Sequence, residues 1–70
     1  MIVYDRFWNL IKEKGITQYQ LDKEYGIARE QIHRLKHNKN LSMKTIDKIC
    51  IALNCSITDI MEYIPDEKEK

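Results

Sequence analysis

Seventy residues make one domain, and their 12 Lys or Arg against 11 Asp or Glu give a formal net charge of +1. The apolar content of 43% is ordinary for a globular protein, and one proline with two glycines argues against a disordered or all-β chain. No stretch approaches the roughly 20 apolar residues of a membrane span, and the first residues lack a signal-peptide pattern. We therefore expect a cytoplasmic domain over residues 1–65, with a frayed, charged tail over 66–70.

The near-neutral total conceals an uneven distribution of charge. Residues 29–48 contain six Lys or Arg against two acids, whereas residues 59–70 contain five acids against two Lys. Residues 1–28 balance at zero. A basic segment of this kind favours a polyanionic partner, and a solvated surface of mixed charge is the alternative.

The first predicted helix runs from Tyr4 to Lys14, with apolar residues at 4, 7, 8, 10 and 11, and Gly15 follows as its cap. Its apolar face is unusually wide. Tyr4, Trp8 and Ile11 form a second stripe that needs its own cover. Either the C-terminal helix covers this stripe within one chain, or the stripe is a contact between subunits.

Two short helices joined by a tight turn follow, over Gln18–Tyr25 and Arg29–Lys36. Thr17 and Gln20 have the spacing of a capping box, and Gly26 is suited to a left-handed turn. The second of these helices has one apolar edge and carries long polar side chains on its other faces. Ala28, at its start, is a poor N-cap.

The last two predicted helices complete an all-α bundle of five. Ser42 caps the fourth, whose apolar residues at 46, 49, 50 and 53 repeat with helical spacing, and Asn54 ends it. Ser56 begins the fifth, over 57–64, and Pro65 closes it. No strand is predicted. Short helices with short connections predict a compact fold with local contacts.

The joint spacing of these residues resembles a known family. Gly15-Ile16-Thr17-Gln18, Leu21, Gly26-Ile27, Ile32 and Leu35 look like the helix-turn-helix of Cro/cI-type (XRE-like) transcriptional regulators, a group of small single-domain bacterial and phage proteins. The pattern continues through Leu41-Ser42, Ile46, Ile49-Cys50, Ala52-Leu53, Ile57 and Asp59-Ile60. The resemblance covers about residues 4–64 and implies a five-helix, lambda-repressor-like DNA-binding domain with helices two and three as the motif.

The chain departs from the family pattern at three positions. Asp22 stands where many members have a small residue between two closely approaching helices. Ala28 replaces a hydroxyl residue that would cap the third helix, and Asn38 stands where members often have glycine.

The resemblance also implies which residues touch double-stranded DNA. In such folds the second helix of the motif enters the major groove, which gives the base contacts Arg29, Glu30, His33 and Arg34. Arginine forks onto the two acceptors of guanine, and glutamate accepts from the amino group of cytosine. Phosphate contacts would come from residues flanking the groove: Thr17, Gln18, Lys36, Lys39, Ser42 and Lys44. The alternative for the arginines and lysines is ordinary surface charge.

This interpretation predicts a transcriptional regulator, and we expect a repressor. We expect it to act as a homodimer, because one helix reads few bases. The alternative is a protein-interaction module with the same fold, such as an antitoxin or an anti-regulator. A protein partner or a second subunit would then use one of two apolar surfaces, Tyr4/Trp8/Ile11 or Ile57/Ile60/Ile64.

Two further kinds of site receive little support from the sequence. His33, His37, Cys50 and Cys55 have the ligand types and spacings of a zinc site. However, the histidines lie on the outward face of their helix, whereas Cys50 lies in an inward stripe. There is also no Gly-rich phosphate loop and no nucleophile elbow, and we expect the two histidines to be exposed rather than placed beside a nucleophile. We expect reduced cysteines, no metal, no cofactor, no small-molecule substrate and no enzymatic activity.

Overall fold

The computed structural model describes residues 1–65 and contains four α-helices joined by short turns. They are α1 (Asp5–Lys14), α2 (Gln18–Lys23), α3 (Arg29–Lys36) and α4 (Met43–Leu53). A single 3₁₀ turn, Ile57–Asp59, follows α4. Two strands, β1 (Ile2–Val3) and β2 (Glu62–Tyr63), pair antiparallel with Ile2 opposite Tyr63 and Val3 opposite Glu62. The predicted tail over 66–70 lies outside the described residues.

The prediction of a fifth helix over 57–64, and of a chain without strands, is wrong. The predicted capping box of Ser56 and Asp59 forms, but the helical turn that it begins ends at Asp59. Backbone groups of the next residues pair with the start of the chain instead, and the Ile64 N–H donates to the Met1 carbonyl at 2.8 Å. The fold is therefore four helices with a 3₁₀ turn and a small sheet.

The ends of the other helices follow the sequence signals closely. Thr17 and Gln20 form the predicted capping box, and the Ser42 hydroxyl accepts from the Thr45 N–H. The α2 helix is shorter than predicted and ends at Lys23. Gly26 lies in the turn that follows, at φ +73°, a conformation that costs glycine almost nothing. This turn sets the direction in which α3 leaves α2.

The core lies between the four helices and the C-terminal turn. Its fully buried side chains are Phe7, Leu21, Ile27, Leu35, Ile49 and Ile60. Removing such apolar surface from water contributes roughly 1.5–3 kcal/mol per side chain, which makes this cluster the main source of stability. It holds α2 and α3 at a fixed angle through Leu21, Ile27 and Leu35.

The second stripe of α1 is covered within the chain. Tyr4 and Ile11 are buried, and Trp8 is half-buried with its Nε1 donating to the Leu35 carbonyl at 3.3 Å. The Tyr4 hydroxyl donates to the Lys39 carbonyl at 2.8 Å. The cover thus includes the end of α3 and its following loop rather than a C-terminal helix. The interpretation of this stripe as a subunit contact is wrong.

The second candidate contact surface is also reduced. Ile60 is completely buried in the core, whereas Ile57 and Ile64 keep 45% and 43% of their surface exposed. Only these two isoleucines of the predicted Ile57/Ile60/Ile64 surface are therefore accessible to a partner.

Within residues 1–65, no helix combines the length and the hydropathy that crossing a bilayer requires.

Candidate nucleic-acid interface

The α3 helix has one buried edge and one open face. Ile32 and Leu35 point into the core, while the side chains of Arg29, Glu30 and His33 are exposed to solvent. This division follows from the spacing, since residues three apart lie on one side of a helix. The core therefore fixes the helix, and the exposed face is free to bind another molecule.

A groove of about 280 Å³ separates the outer faces of α2 and α3. It brings together four of the predicted contact residues, Gln18, Arg29, His33 and Lys36. The groove is also lined by Tyr19, Asp22 and Ile32.

A second, polar concavity of about 240 Å³ lies on the other side of α3. Here the predicted residues Glu30, Arg34 and Ser42 come together with Asn40 and Thr45. The candidate base contacts thus lie along α3, between two recesses that are each lined by further predicted contacts.

Arg29 is held by a carboxylate of the preceding helix. Its Nε donates to Asp22 Oδ2 at 3.2 Å. The Arg29 side chain is 82% exposed, whereas that of Asp22 is only 26% exposed. No other residue among 1–65 takes a hydrogen bond from this guanidinium, so both of its terminal amino groups face solvent.

Arg34 is engaged differently. Its Nη1 donates to the Asn40 carbonyl at 3.3 Å, and its Nη2 lies 3.9 Å from Glu30 Oε2. The side chain is 43% exposed. One terminal amino group of Arg34 is therefore hydrogen-bonded to its own chain, and the other lies near a carboxylate of the same helix.

The predicted phosphate contacts do not form one cluster. Gln18 and Lys36 line the groove between α2 and α3, whereas Lys44 lines a separate recess beside α4. Lys39 is exposed in the loop after α3. It lines neither the α2–α3 groove, nor the polar concavity, nor the recess beside α4. These side chains therefore lie in separate places and do not converge on one point.

The two hydroxyl groups among these predictions differ in availability. Thr17 Oγ1 accepts from the Gln20 N–H at 3.1 Å, which leaves its own hydrogen free to donate. Ser42 Oγ accepts from the Thr45 N–H and also donates to Thr45 Oγ1 at 3.0 Å. The Ser42 hydrogen is thus used within the chain, whereas the Thr17 hydrogen is available to a ligand.

The predicted histidine face and the cysteines lie apart. The imidazole rings of His33 and His37 are 4.4 Å apart on the outer side of α3. Cys50 and Cys55 are half-buried free thiols at the far end of α4. Burial raises the pKa of the Cys55 thiol, and the neighbouring Cys50 raises it further. Within residues 1–65, no three His, Cys, Asp or Glu side chains come together as metal ligands would.

Sequence reasoning missed Tyr19. It is 68% exposed and lines the groove between α2 and α3. A signal was present, because two residues along a helix correspond to about 200° of rotation. Tyr19 therefore had to face away from the buried Leu21.

Comparisons with known proteins identify this arrangement. A family model described as the Cro/C1-type HTH DNA-binding domain matches residues 6–66. The chain belongs to the Cro/C1-type helix-turn-helix family. The family predicted from the sequence is thereby confirmed. The family is a DNA-binding, non-enzymatic one, and the fold is a lambda-repressor-like helix-turn-helix fold.

A solved structure supports the same conclusion. The transcriptional regulator VanUg, in a crystal structure called Form II, superposes with a TM-score of 0.82 at 28% sequence identity. The match covers 93% of this Cro/C1-type chain and 87% of the VanUg chain. A comparison with curated protein sequences gives no match. The protein is thus a helix-turn-helix DNA-binding domain that resembles a transcriptional regulator.

Proposed function

We propose that this protein is a sequence-specific, double-stranded DNA-binding repressor that reads the major groove with α3. The observation that carries the proposal is the division of α3 between buried Ile32 and Leu35 and an exposed polar face. A helix fixed by its core edge presents that face as a rigid unit, and a major groove is wide enough to admit it.

Base recognition is assigned to the exposed face, through Arg29, Glu30, His33 and Arg34. The arginines suit guanine, which offers two acceptors in the major groove. Glu30 suits cytosine, whose amino group donates to a carboxylate. A carboxylate close to phosphates weakens binding where no donor meets it, so Glu30 would discriminate against other bases.

Phosphate binding is assigned to the cationic and hydrogen-bonding residues around α3. The free hydroxyl hydrogen of Thr17 and the exposed Gln18 support contacts on the α2 side. Lys36 lines the same groove as Gln18 and would act beside it. Lys39 and Lys44, with the backbone near Ser42, would contact the DNA backbone elsewhere. Because lysines that neutralise phosphates release counterions, affinity should fall steeply between low and moderate salt.

A homodimer follows from the small number of bases that one helix reads. Two copies on a two-fold related site double the recognised sequence, and repression then needs only occupancy of a promoter. The exposed Ile57 and Ile64 are the candidates for contact between subunits. Sedimentation of the Ile57→Asp variant beside the parent tests this, since loss of the dimer is expected.

The experiment that tests the function is selection of bound sequences from a random duplex pool at low salt. A recurring, two-fold related motif is expected. The affinities of the Arg29→Ala and Arg34→Ala variants for this motif should each fall at least tenfold while their circular dichroism is unchanged. Lys14→Ala is the matched control, since Lys14 is an exposed cation in the last turn of α1 and is not part of α3. A pool that yields no motif would eliminate the proposal.

One observation favours the alternative of a protein-interaction module. A recess of about 600 Å³ beside α4 is lined in part by Tyr25, Ile51 and Ala52, and Ile51 is 74% exposed. Such an apolar patch would suit a protein partner. Under this alternative, Arg34→Ala is silent and Ile51→Asp abolishes function, the reverse of what DNA recognition predicts.

A further inference from the structure

Asp22 occupies an unexpected place for an acidic residue. It is the single carboxylate among the seven residues that line the groove between α2 and α3. Under the proposed function, this groove faces the negatively charged DNA backbone. A carboxylate there repels phosphate and weakens binding to every sequence, so its presence needs a compensating role.

The geometry of its ion pair supplies such a role. Asp22 Oδ2 accepts from Nε of Arg29, the nitrogen nearest the side-chain stem, at 3.2 Å. The guanidinium is planar and rigid, so a bond at Nε fixes the orientation of both terminal amino groups. Those groups are the ones that fork onto guanine, and they point away from the protein on a side chain that is 82% exposed.

The environment of Asp22 makes it a firm support. Its side chain is only 26% exposed, and α2 on which it stands is anchored by the buried Leu21. An exposed arginine without such a partner samples many rotamers and must be ordered when it binds. Holding Arg29 in one orientation before binding removes part of that entropic loss.

The contrast with Arg34 indicates which arginine is already oriented for a base before DNA binds. Both terminal amino groups of Arg34 are directed at neighbours, the Asn40 carbonyl and Glu30. Arg34 must give up these contacts before it can fork onto guanine. Arg29 keeps its support while both of its terminal amino groups stay free.

We propose that Asp22 is a positioning residue that presents the Arg29 guanidinium to guanine, and that this pair determines the preference at one base pair of the site. The inference rests on the proposed function. The ion pair itself is too exposed to contribute much stability, because exposed pairs are weak in water. Asp22 thus acts on specificity more than on folding.

The test measures base preference, which a merely structural role would not move. Selection with the parent protein defines the motif, and the position whose guanine preference disappears in Arg29→Ala is the Arg29 position. Affinities for duplexes carrying each of the four bases there are then measured for the parent, Asp22→Ala and Asp22→Asn. The matched control is Asp47→Asn, which removes one negative charge from an exposed residue of α4.

For the parent, a preference of roughly fivefold to a hundredfold is expected, the range for one bidentate arginine–guanine pair. Asp22→Ala should reduce this preference by up to about fivefold, the most that an exposed ion pair of about 1 kcal/mol can supply, while binding to all sequences strengthens because a negative charge is lost. Asp22→Asn keeps an oxygen acceptor for Nε and should retain most of the preference with the same general gain in affinity. Asp47→Asn should leave the preference unchanged.

The double variant Asp22→Ala/Arg29→Ala separates positioning from a direct contact by Asp22. It should show the same flat preference as Arg29→Ala alone, because Asp22 acts only through Arg29. An unchanged guanine preference in Asp22→Ala overturns the inference and leaves the proposed function standing. The absence of any motif with the parent protein overturns both.

Discussion

Asn38 Oδ1 accepts a hydrogen bond from the backbone N–H of Tyr4 at 3.1 Å, across 34 positions of sequence. Asn38 has a left-handed conformation, with φ +54°, just after the end of α3. Tyr4 is the residue that precedes α1, and it has no capping bond from its own side chain. One amide side chain therefore joins the end of the α3 segment to the start of α1.

This bond explains why asparagine stands where glycine would be easier to accommodate. Asn38→Gly keeps the left-handed turn but leaves the partly buried Tyr4 N–H without its acceptor. We expect a loss of about 1 kcal/mol of unfolding free energy in urea titrations, the usual net contribution of one such bond. Asn54→Gly is the matched control: Asn54 also has φ +53°, and its side chain has no partner within residues 1–65. Equal effects of the two substitutions would contradict this explanation.

Tyr4 should also make stability depend on alkaline pH. Burial raises the pKa of Tyr4 above its ordinary value of 10.0, so the folded chain holds this proton more tightly than the unfolded chain. The stabilising contribution is complete below pH 10 and is lost as pH rises through the folded pKa. Tyr4→Phe removes this dependence, together with about 1 kcal/mol from the lost bond to the Lys39 carbonyl. Urea midpoints measured between pH 8 and 11 test this pH dependence. Tyr63→Phe is the control, since Tyr63 is exposed and its substitution should leave the dependence unchanged.

Ala28 leaves the start of α3 without a side-chain cap. Its backbone has the extended conformation of an N-cap, with φ −61° and ψ 151°. Ala28→Ser supplies an acceptor for a free N–H of the first turn. It should increase the free energy of unfolding by about 1 kcal/mol and so raise the midpoint temperature of thermal unfolding. Ala52→Ser in the interior of α4 is the control, since no uncapped N–H is available there. A comparable gain from both substitutions would show that capping is not the cause.

Asp59 should contribute to stability on the acid side. The Ser56 backbone N–H, and then its hydroxyl, lower the pKa of the Asp59 carboxyl below its ordinary value of 3.8. The contribution is present above that pH and is lost as pH falls through the lower, folded pKa. Asp59→Asn should therefore flatten the decline of the urea midpoint between pH 5 and 2. If the exposed Asp47→Asn flattens it equally, the capping box at Ser56 is not responsible.

The features that could be predicted from the sequence are those with local causes. The capping boxes at Thr17 and Ser56, and the left-handed turns at Gly15 and Asn54, involve residues no more than four apart. Because the interacting residues lie close together in the sequence, their spacing alone reveals the interaction. The open face of α3 belongs to the same class, because it follows from the spacing of its two buried residues.

What the sequence did not predict depends on distant partners. The strands are two residues long and about 60 positions apart, so neither has a detectable alternation of its own. The apolar spacing over 57–64 fits a helix equally well, and only the presence of β1 decides the outcome. In the same way, Asp22 is visible in the sequence only as a departure from a family pattern. Its bond to Arg29 depends on the angle that the turn at Gly26 sets.

The small sheet links the first residues of the chain to residues 62–64, so that loss of its pairing releases both segments together. The Met1 amine donates to the Ile64 carbonyl at 2.6 Å, and Arg6 reaches across to the Thr58 carbonyl and Glu62. Because two residues per strand provide little independent stability, we expect β1 and β2 to separate in local fluctuations that leave the helices intact. The amide hydrogen of Ile64 should therefore exchange with deuterium much faster than those of α3.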